Sequence, residues 1–254
     1  MIVTTNNSHF DKKLVFSMSL PNAKIKFYPN GVNRLSVFNY PRFREVERGE
    51  VELPEIYDTD SPSRSDSVKR AKDMIFDIAY LNESEWKYFV TFTLDRKKID
   101  RYDVTVIKKT MLQWLKHQVQ RKGLKYLIVP EFHKDKSIHF HGLINDCDFT
   151  FIDSGKVDEA GRKIYNVRDW RLGFTTAIEL DEQKVNLCKY MVKYVTKDVQ
   201  RIFGNFYLAG GHIERVVPFE YIELDYDTLD VPEYEIPNTD IKVKYAVMGV
   251  FENE

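Results

Sequence analysis

Apolar residues near the N-terminus change from a strand-like to a helix-like spacing. The segments KIKFY, Lys24–Tyr28, and RLSVFNY, Arg34–Tyr40, flank an Asn30-Gly31 pair. That pair is typical of a tight turn between two antiparallel strands. From Asp66 to Tyr80 the apolar residues recur near the helical period instead. This part of the chain is therefore predicted to form a hairpin followed by a helix.

The middle of the chain carries the strongest periodic pattern. KYFVTFTLD, Lys87–Asp95, is rich in β-branched and aromatic residues and predicts a central strand. Helical spacing from Asp103 to Arg121 predicts a helix that stops at Gly123. KYLIVPEFH, Lys125–His133, and SIHFHGLIND, Ser137–Asp146, flank a short polar turn. They are expected to pair as an antiparallel hairpin.

The pattern weakens after this hairpin and then returns. Residues 148–171 are expected to be rich in loops. GFTTAIEL, Gly173–Leu180, predicts a strand, and a helix is expected from about Asp181 to Asp198. The order strand, helix, hairpin, strand, helix predicts an α+β fold, in which helices cover one face of a central antiparallel sheet. The other face of that sheet is left for a site.

The charge of the chain is unevenly distributed, although the 254 residues carry a net charge of only −1. Residues 219–254 contain ten acidic and two basic residues, whereas residues 87–218 contain 24 basic and 16 acidic residues. The sequence therefore divides into an N-terminal extension of strands and a helix, residues 1–86, a basic core, and an acidic C-terminal segment. This division is typical of an anion-binding domain with an acidic appendage, but ordinary solvated surface charge explains it as well.

Several classes of protein are disfavoured by composition. No apolar run approaches the roughly 18 residues of a membrane-spanning helix, and the first residues lack the pattern of an export signal. The two cysteines, Cys147 and Cys188, form no CxxC motif. We therefore expect a reduced, cytoplasmic protein that has no membrane partner.

Two histidines in one predicted strand are the first candidate for chemistry. His139 and His141 are two residues apart, so their side chains share a face. Antiparallel pairing could bring Glu131 beside them, and His133, on the same face as Glu131, is an alternative ligand. Such a set suits Mn²⁺ or Mg²⁺ acting on a phosphate, and by ligand type it suits Zn²⁺ equally well. A polar strand face that binds no metal is the simpler alternative.

The last predicted helix contains the second candidate feature, CKYMVKYVTKD, Cys188–Asp198. Tyr190 and Tyr194 lie nearly opposite its apolar seam, which consists of Val185, Cys188, Val192 and Val195. A basic row follows the same helix and contains Lys189, Lys193, Lys197 and Arg201. A nearby ammonium group favours the phenolate form of tyrosine, which can attack a phosphodiester. Tyrosines that cover apolar surface, with lysines that solvate the helix, are the alternative.

In combination, these features resemble the HUH endonucleases, specifically the two-tyrosine replication initiators of rolling-circle plasmids and phages. FVTFTLD, Phe89–Asp95, is similar to the first strand motif of that family. IHFHGLI, Ile138–Ile144, is similar to its histidine motif, and YMVKYVTK, Tyr190–Lys197, to its tyrosine motif. The resemblance covers about Lys87 to Gly211 and implies a ferredoxin-like HUH nuclease fold for residues 87–218.

The resemblance also implies roles for individual residues. A divalent metal, Mn²⁺ or Mg²⁺, would be held by His139, His141 and Glu131. Tyr190 would attack a phosphate of single-stranded origin DNA, which gives a 5′-phosphotyrosine and a free 3′-hydroxyl. Tyr194 would serve as the alternate nucleophile, and Lys193 would stabilise charge at the phosphate.

Further DNA contacts are predicted at Lys189, Lys197, Arg201, Arg168, Arg171 and Trp170. Trp170 could stack on extruded bases, although ordinary packing explains it at least as well. The chain contains no GxxxxGK[ST] motif, so a host helicase and a host polymerase are the expected partners.

Other functions fit parts of the same sequence. A transposase or relaxase of the same fold would use the same chemistry on another target, and a DNA-binding regulator would keep the fold without cleavage. A cupin-like metalloenzyme is disfavoured, because its glutamate follows the second histidine whereas Glu131 precedes the first.

Overall fold

The computed structural model describes residues 21–41, 64–180, 201–236 and 239–248. These residues form two antiparallel sheets and two α-helices. They belong to two compact units. The first unit contains the described residues in 21–27, 32–41 and 219–248, and the second contains those in 28–31 and 64–218.

The elements are numbered along the chain. The helices are α1 (Arg64–Leu81) and α2 (Val104–Lys122). The strands are β1 (Ala23–Phe27), β2 (Asn33–Phe38), β3 (Trp86–Leu94), β4 (Tyr126–Phe132), β5 (Ile138–Asn145), β6 (Phe151–Val157), β7 (Lys163–Val167), β8 (Gly173–Glu179), β9 (Leu208–Gly210), β10 (Phe219–Ile222), β11 (Glu233–Glu235) and β12 (Lys242–Met248).

The first unit is a five-stranded sheet with the order β10-β1-β2-β12-β11. Strands β1 and β2 pair antiparallel, with Ala23 opposite Val37, which confirms the predicted hairpin. The acidic segment supplies the other three strands, since β10 pairs with β1 and β12 with β2. Ala23, Leu35 and Val37 are buried at the centre of this sheet. Both ends of the sequence therefore contribute to one sheet.

The second unit is built on a seven-stranded sheet with the order β6-β7-β8-β3-β5-β4-β9. Strand β3 lies between β8 and β5, as its apolar sequence predicts. Strands β4 and β5 form the predicted hairpin. Helix α2 begins one residue after Asp103, and it ends at Gly123, whose φ of 66° is the left-handed conformation that favours glycine.

The core of this unit lies between α2 and one face of the seven-stranded sheet, which is called the helix face. Alternate residues of three central strands line that face: Val90, Phe92, Ile128, Phe140 and Ile144. They pack against Ile107, Met111 and Leu115 of α2. Because successive strand residues point to opposite faces, the residues between them lie on the other side of the sheet.

The expectation of a loop-rich segment at residues 148–171 is wrong. Strands β6 and β7 form an antiparallel hairpin there, and β7 continues the sheet next to β8. Its turn is closed by Asp158, whose carboxylate accepts hydrogen bonds from the backbone N–H groups of Ala160 and Arg162. Most side chains of β6 are exposed, so no alternation of apolar and polar residues marks this strand in the sequence.

The helix predicted from about Asp181 to Asp198 lies outside the described residues. None of the helices in the described ranges has the length and apolar character needed to span a membrane.

The start of α2 gives a test of local stability. The Asp103 carboxylate accepts hydrogen bonds from the backbone N–H groups of Thr105 and Val106, at 2.9 and 3.0 Å. Asp103→Ala should lower the free energy of unfolding by about 1 kcal/mol, because these helix N–H groups lose their cap. Urea denaturation measures the change. Asp103→Asn is the matched control and should stay within a few tenths of wild type; an equal loss in both variants would contradict the capping role.

Candidate functional site

The pairing of three central strands brings the predicted site residues onto one face of the sheet. Glu131 of β4 lies directly opposite His139 of β5. On the other side of β5, Thr93 lies opposite His139 and Thr91 lies opposite His141. These five residues share the side of the sheet that faces away from α2, which is called the histidine face.

His141 is held at both ring nitrogens. Its Nε2 lies 3.0 Å from Oε2 of Glu131, and its Nδ1 lies 3.1 Å from Oγ1 of Thr91. An ionised carboxylate can only accept a hydrogen bond, so in the neutral ring Nε2–H donates to Glu131 and Nδ1 accepts from the Thr91 hydroxyl. This assigns the tautomer and fixes the orientation of the imidazole.

Burial keeps both histidines in their neutral form. Burial lowers the pKa of His141 to about 4, and the neighbouring His139 adds to that fall. The pKa of His139 is also lowered, first by burial and then by His133. The Glu131 carboxylate acts in the opposite direction on His141, because an anion favours the imidazolium. A neutral imidazole is the form that can ligate a metal ion.

His139 is engaged differently from His141. Its ring stacks on that of His133, with the ring centroids 4.8 Å apart and the planes 12° from parallel. Within the described ranges, no three His, Cys, Asp or Glu side chains converge as a metal-ligand group. The donor types and the register suit a divalent cation, but binding would require the Glu131–His141 contact to open and the His139 ring to turn.

The turn between β4 and β5 is fixed by several hydrogen bonds. The His133 N–H donates to the Ser137 carbonyl, and the Lys136 N–H donates to the His133 carbonyl, both at 2.8 Å. Asp135 accepts from the N–H and the hydroxyl of Ser137, which lowers the pKa of its carboxyl to about 2. Arg101 pairs with the same carboxylate at 2.9 Å. The turn that sets the register is thus tied to the segment between β3 and α2.

The predicted nucleophiles and most of the predicted DNA contacts are not part of the structure just described. Five of them lie outside the described residues: Tyr190, Tyr194, Lys189, Lys193 and Lys197. Arg201 is exposed and lines a cavity with residues of α1 and α2.

The remaining predicted contacts are not brought to the histidine face. Trp170 is 4% exposed, packs against Phe92 and Trp114, and donates its indole N–H to the Thr93 carbonyl. This burial does not support base stacking. Arg168 and Arg171 are exposed, and Arg171 lines a shallow cavity beside α2.

Two residues of the histidine face were missed in the sequence. Thr91 orients His141, and its place in FVTFTLD gives no sign of that partner, because the register between β3 and β5 is set by pairing. Phe174 of β8 lies opposite Thr93 and is 67% exposed, which is unusual for a phenylalanine in a sheet. An exposed aromatic ring offers a surface on which a base can stack.

Comparison with known proteins gives one finding on the second unit. Residues 87–199 match a family described as replication-associated protein, of the ORF2 type. The match covers less than half of the 254 residues and includes the histidine face, Tyr190 and Tyr194. It associates this region with DNA replication, and its description specifies neither metal ligands nor the number of nucleophilic tyrosines. The chain has no significant match among curated proteins or solved structures.

The buried imidazole of His141 predicts a dependence of stability on pH. In the unfolded chain this histidine binds a proton below about pH 6.5, whereas in the folded protein its pKa is about 4. Its contribution to folding is therefore complete above pH 6.5 and is lost as the pH falls towards 4, by up to about 3 kcal/mol. Chemical denaturation of metal-free protein across this range measures the loss.

Two variants isolate this contribution. His141→Gln should flatten the fall in stability between pH 6.5 and 4, since glutamine does not titrate. His212→Gln, a substitution at an exposed histidine of the same unit, is the matched control and should follow wild type. Parallel curves for wild type and His141→Gln would sink the idea.

Proposed function

We propose that the chain is a replication initiator that nicks and rejoins single-stranded DNA at an origin through a 5′-phosphotyrosine. One observation carries the proposal. The region that matches a replication-associated family contains both the histidine face and the tyrosine pair Tyr190 and Tyr194. The excess of basic over acidic residues in 87–218, 24 against 16, supports a polyanionic ligand.

The reaction is a transesterification with no loss of bonds overall. The phenolate oxygen of Tyr190 attacks the scissile phosphorus, a new P–O bond to tyrosine forms, and the bond to the 3′-oxygen breaks. The departing 3′-oxygen takes up a proton and becomes a free hydroxyl that a polymerase can extend. Attack by a 3′-hydroxyl on the phosphotyrosine reverses the step and joins strands, and Tyr194 would supply a second nucleophile.

Glu131, His139 and His141 would hold a divalent cation, Mn²⁺ or Mg²⁺, in this proposal. A cation bound there supplies positive charge against the non-bridging oxygens of the phosphate. Thr91 would fix the ring of His141, as its contact with Nδ1 indicates. Phe174, exposed on the same face, would stack against a base next to the scissile phosphate.

A regulator that binds DNA without cleavage is the second candidate. The specific observation in its favour is the contact between Glu131 and His141, which occupies two of the three proposed ligands. Metal binding and covalent adduct formation separate the two functions.

The first test is metal binding by the protein without DNA. Wild type should bind one Mn²⁺, and His141→Ala and Glu131→Gln should each weaken binding by at least about tenfold, because each removes one ligand. Electron paramagnetic resonance of free Mn²⁺ and calorimetry measure the affinity. His133→Ala is the matched control for the alternative ligand and should bind as wild type does. Saturable binding in none of the proteins would contradict a metal site.

The second test is formation of the covalent adduct. With Mn²⁺ and single-stranded origin oligonucleotides labelled at either end, wild type should become attached to the 3′ fragment, whose 5′-phosphate is the site of attack. Tyr190→Phe should lose most of the adduct, and the double variant with Tyr194→Phe should lose all of it, since phenylalanine has no nucleophile. Denaturing gel electrophoresis measures both products.

Two controls complete the experiment. Tyr102→Phe, at an exposed tyrosine outside the proposed site, should form as much adduct as wild type. Tight binding without cleavage across several candidate origins would favour the regulator. An adduct that survives the double substitution would overturn the assignment of the nucleophiles.

A further inference from the structure

A cavity of about 590 Å³ lies at the β9 edge of the seven-stranded sheet, away from the histidine face. Its walls come from α1, from Leu112 of α2, from Tyr126 of β4 and from residues 201–215. Its volume falls within the roughly 300–1,000 Å³ of typical small-ligand pockets. Tyr126 belongs to the helix face, because it shares its side of β4 with Ile128.

Three arginines line this cavity and no acidic residue does: Arg70, Arg201 and Arg215. In the part of the chain that the structure describes, no carboxylate forms an ion pair with any of them. Like charges gathered without a counter-charge raise the local potential and attract an anion. Guanidinium groups also match the geometry of phosphate oxygens.

Two of the arginines are held in place by the cavity wall. The Nη2 of Arg215 donates to the Ala209 carbonyl at 2.6 Å. The guanidinium of Arg201 lies over the ring of Phe206, 5.2 Å from its centroid. Arrangement of these cations before a ligand binds reduces the entropy cost of binding.

Aromatic side chains form the rest of the wall: Tyr126, Phe206 and Tyr207. Tyr126 and Tyr207 are half-buried, and burial raises the pKa of both phenols while Arg215 acts in the opposite direction on each. Both phenols therefore remain protonated and can donate a hydrogen bond. Aromatic rings beside guanidinium groups are suited to a nucleotide, which offers a base for stacking and a phosphate for the cations.

We propose that this cavity binds one nucleotide of single-stranded DNA, with the phosphate at the three arginines and the base against Phe206 and Tyr207. The choice of DNA as the ligand rests on the proposed function, whereas the anion site rests on the cavity alone. Tyr126 and Glu131 are five residues apart on β4, so the two sites are separated by about 17 Å along the strand. The same DNA strand can therefore reach both sites when it is long enough.

Oligonucleotide length provides the test. Binding is measured by fluorescence anisotropy in Tyr190→Phe/Tyr194→Phe protein, which keeps the DNA intact. Arg70→Gln/Arg201→Gln should weaken binding of a 20-nucleotide strand roughly tenfold, and its slope of log affinity against log salt should fall by about 1.4, for two lost phosphate contacts. Binding of a four-nucleotide strand around the cleavage site should change far less.

Two further variants separate stacking, charge and global effects. Phe206→Leu should weaken binding of the long strand but leave the salt slope unchanged, since it removes stacking and no charge. Lys156→Gln also removes one positive charge, at an exposed position of β6, and should behave as wild type. Thermal denaturation of each variant shows that it is folded.

Each remaining outcome decides the proposal. Equal losses for short and long strands, or no loss in any arginine variant, would overturn it. Stabilisation by millimolar dTMP or inorganic phosphate, with unchanged affinity for the long strand, would also overturn it, in favour of a free nucleotide or phosphate. Length-dependent losses in a protein that never cleaves would keep this site and reject the nicking function.

Discussion

Strand β5 is hydrogen-bonded to β3 on one side and to β4 on the other, and the candidate site depends on its register with both. In this register Glu131 lies opposite His139, and Thr91 lies opposite His141. Because side chains alternate with a period of two, a slip of one residue would turn the histidines towards α2 and bring Phe140 to the outer face. The apolar contacts of Phe140 with the core therefore also hold the histidines in place.

Two local features fix that register. The turn closed by Asp135 and Ser137, and tied to Arg101, determines where β5 begins relative to β4. Gly142 lets the two strands approach, since a Cβ at this position would lie 2.6 Å from Cγ1 of Ile128 and 2.7 Å from the Leu127 carbonyl oxygen. A larger residue next to His141 would push against β4 at the point where the histidine is oriented.

Sequence patterns predicted the elements whose side chains are divided between core and solvent. The strand Lys87–Asp95 and the helix that ends at Gly123 are both observed, because burial of one face produces a period that is visible in the sequence. The hairpin of β6 and β7 was missed for the opposite reason, since β6 buries little of its surface. Pairing between β2 and β12 joins residues about 200 positions apart, and no local pattern encodes such a contact.

Within the site, sequence spacing predicted which residues share a face but not how their side chains are engaged. The alternation in β5 was sufficient to group His139 with His141, and the hairpin was sufficient to add Glu131. The hydroxyl of Thr91 and the ring of His133 are partners that depend on three-dimensional pairing and on rotamers. The burial of Trp170 likewise depends on how its loop folds over the helix face.

The contact between Glu131 and His141 has a further consequence for any cation at this face. The carboxylate accepts from Nε2–H, so the ring presents a proton where a metal ligand presents a lone pair. A cation must displace this hydrogen bond, and the imidazole must either lose its Nε2 proton or transfer it to Nδ1. Transfer would turn Nδ1 into a donor towards Thr91, whose hydroxyl can reverse its role and accept. A threonine at this position is therefore compatible with both states of His141, whereas an obligate donor there would bind one state alone.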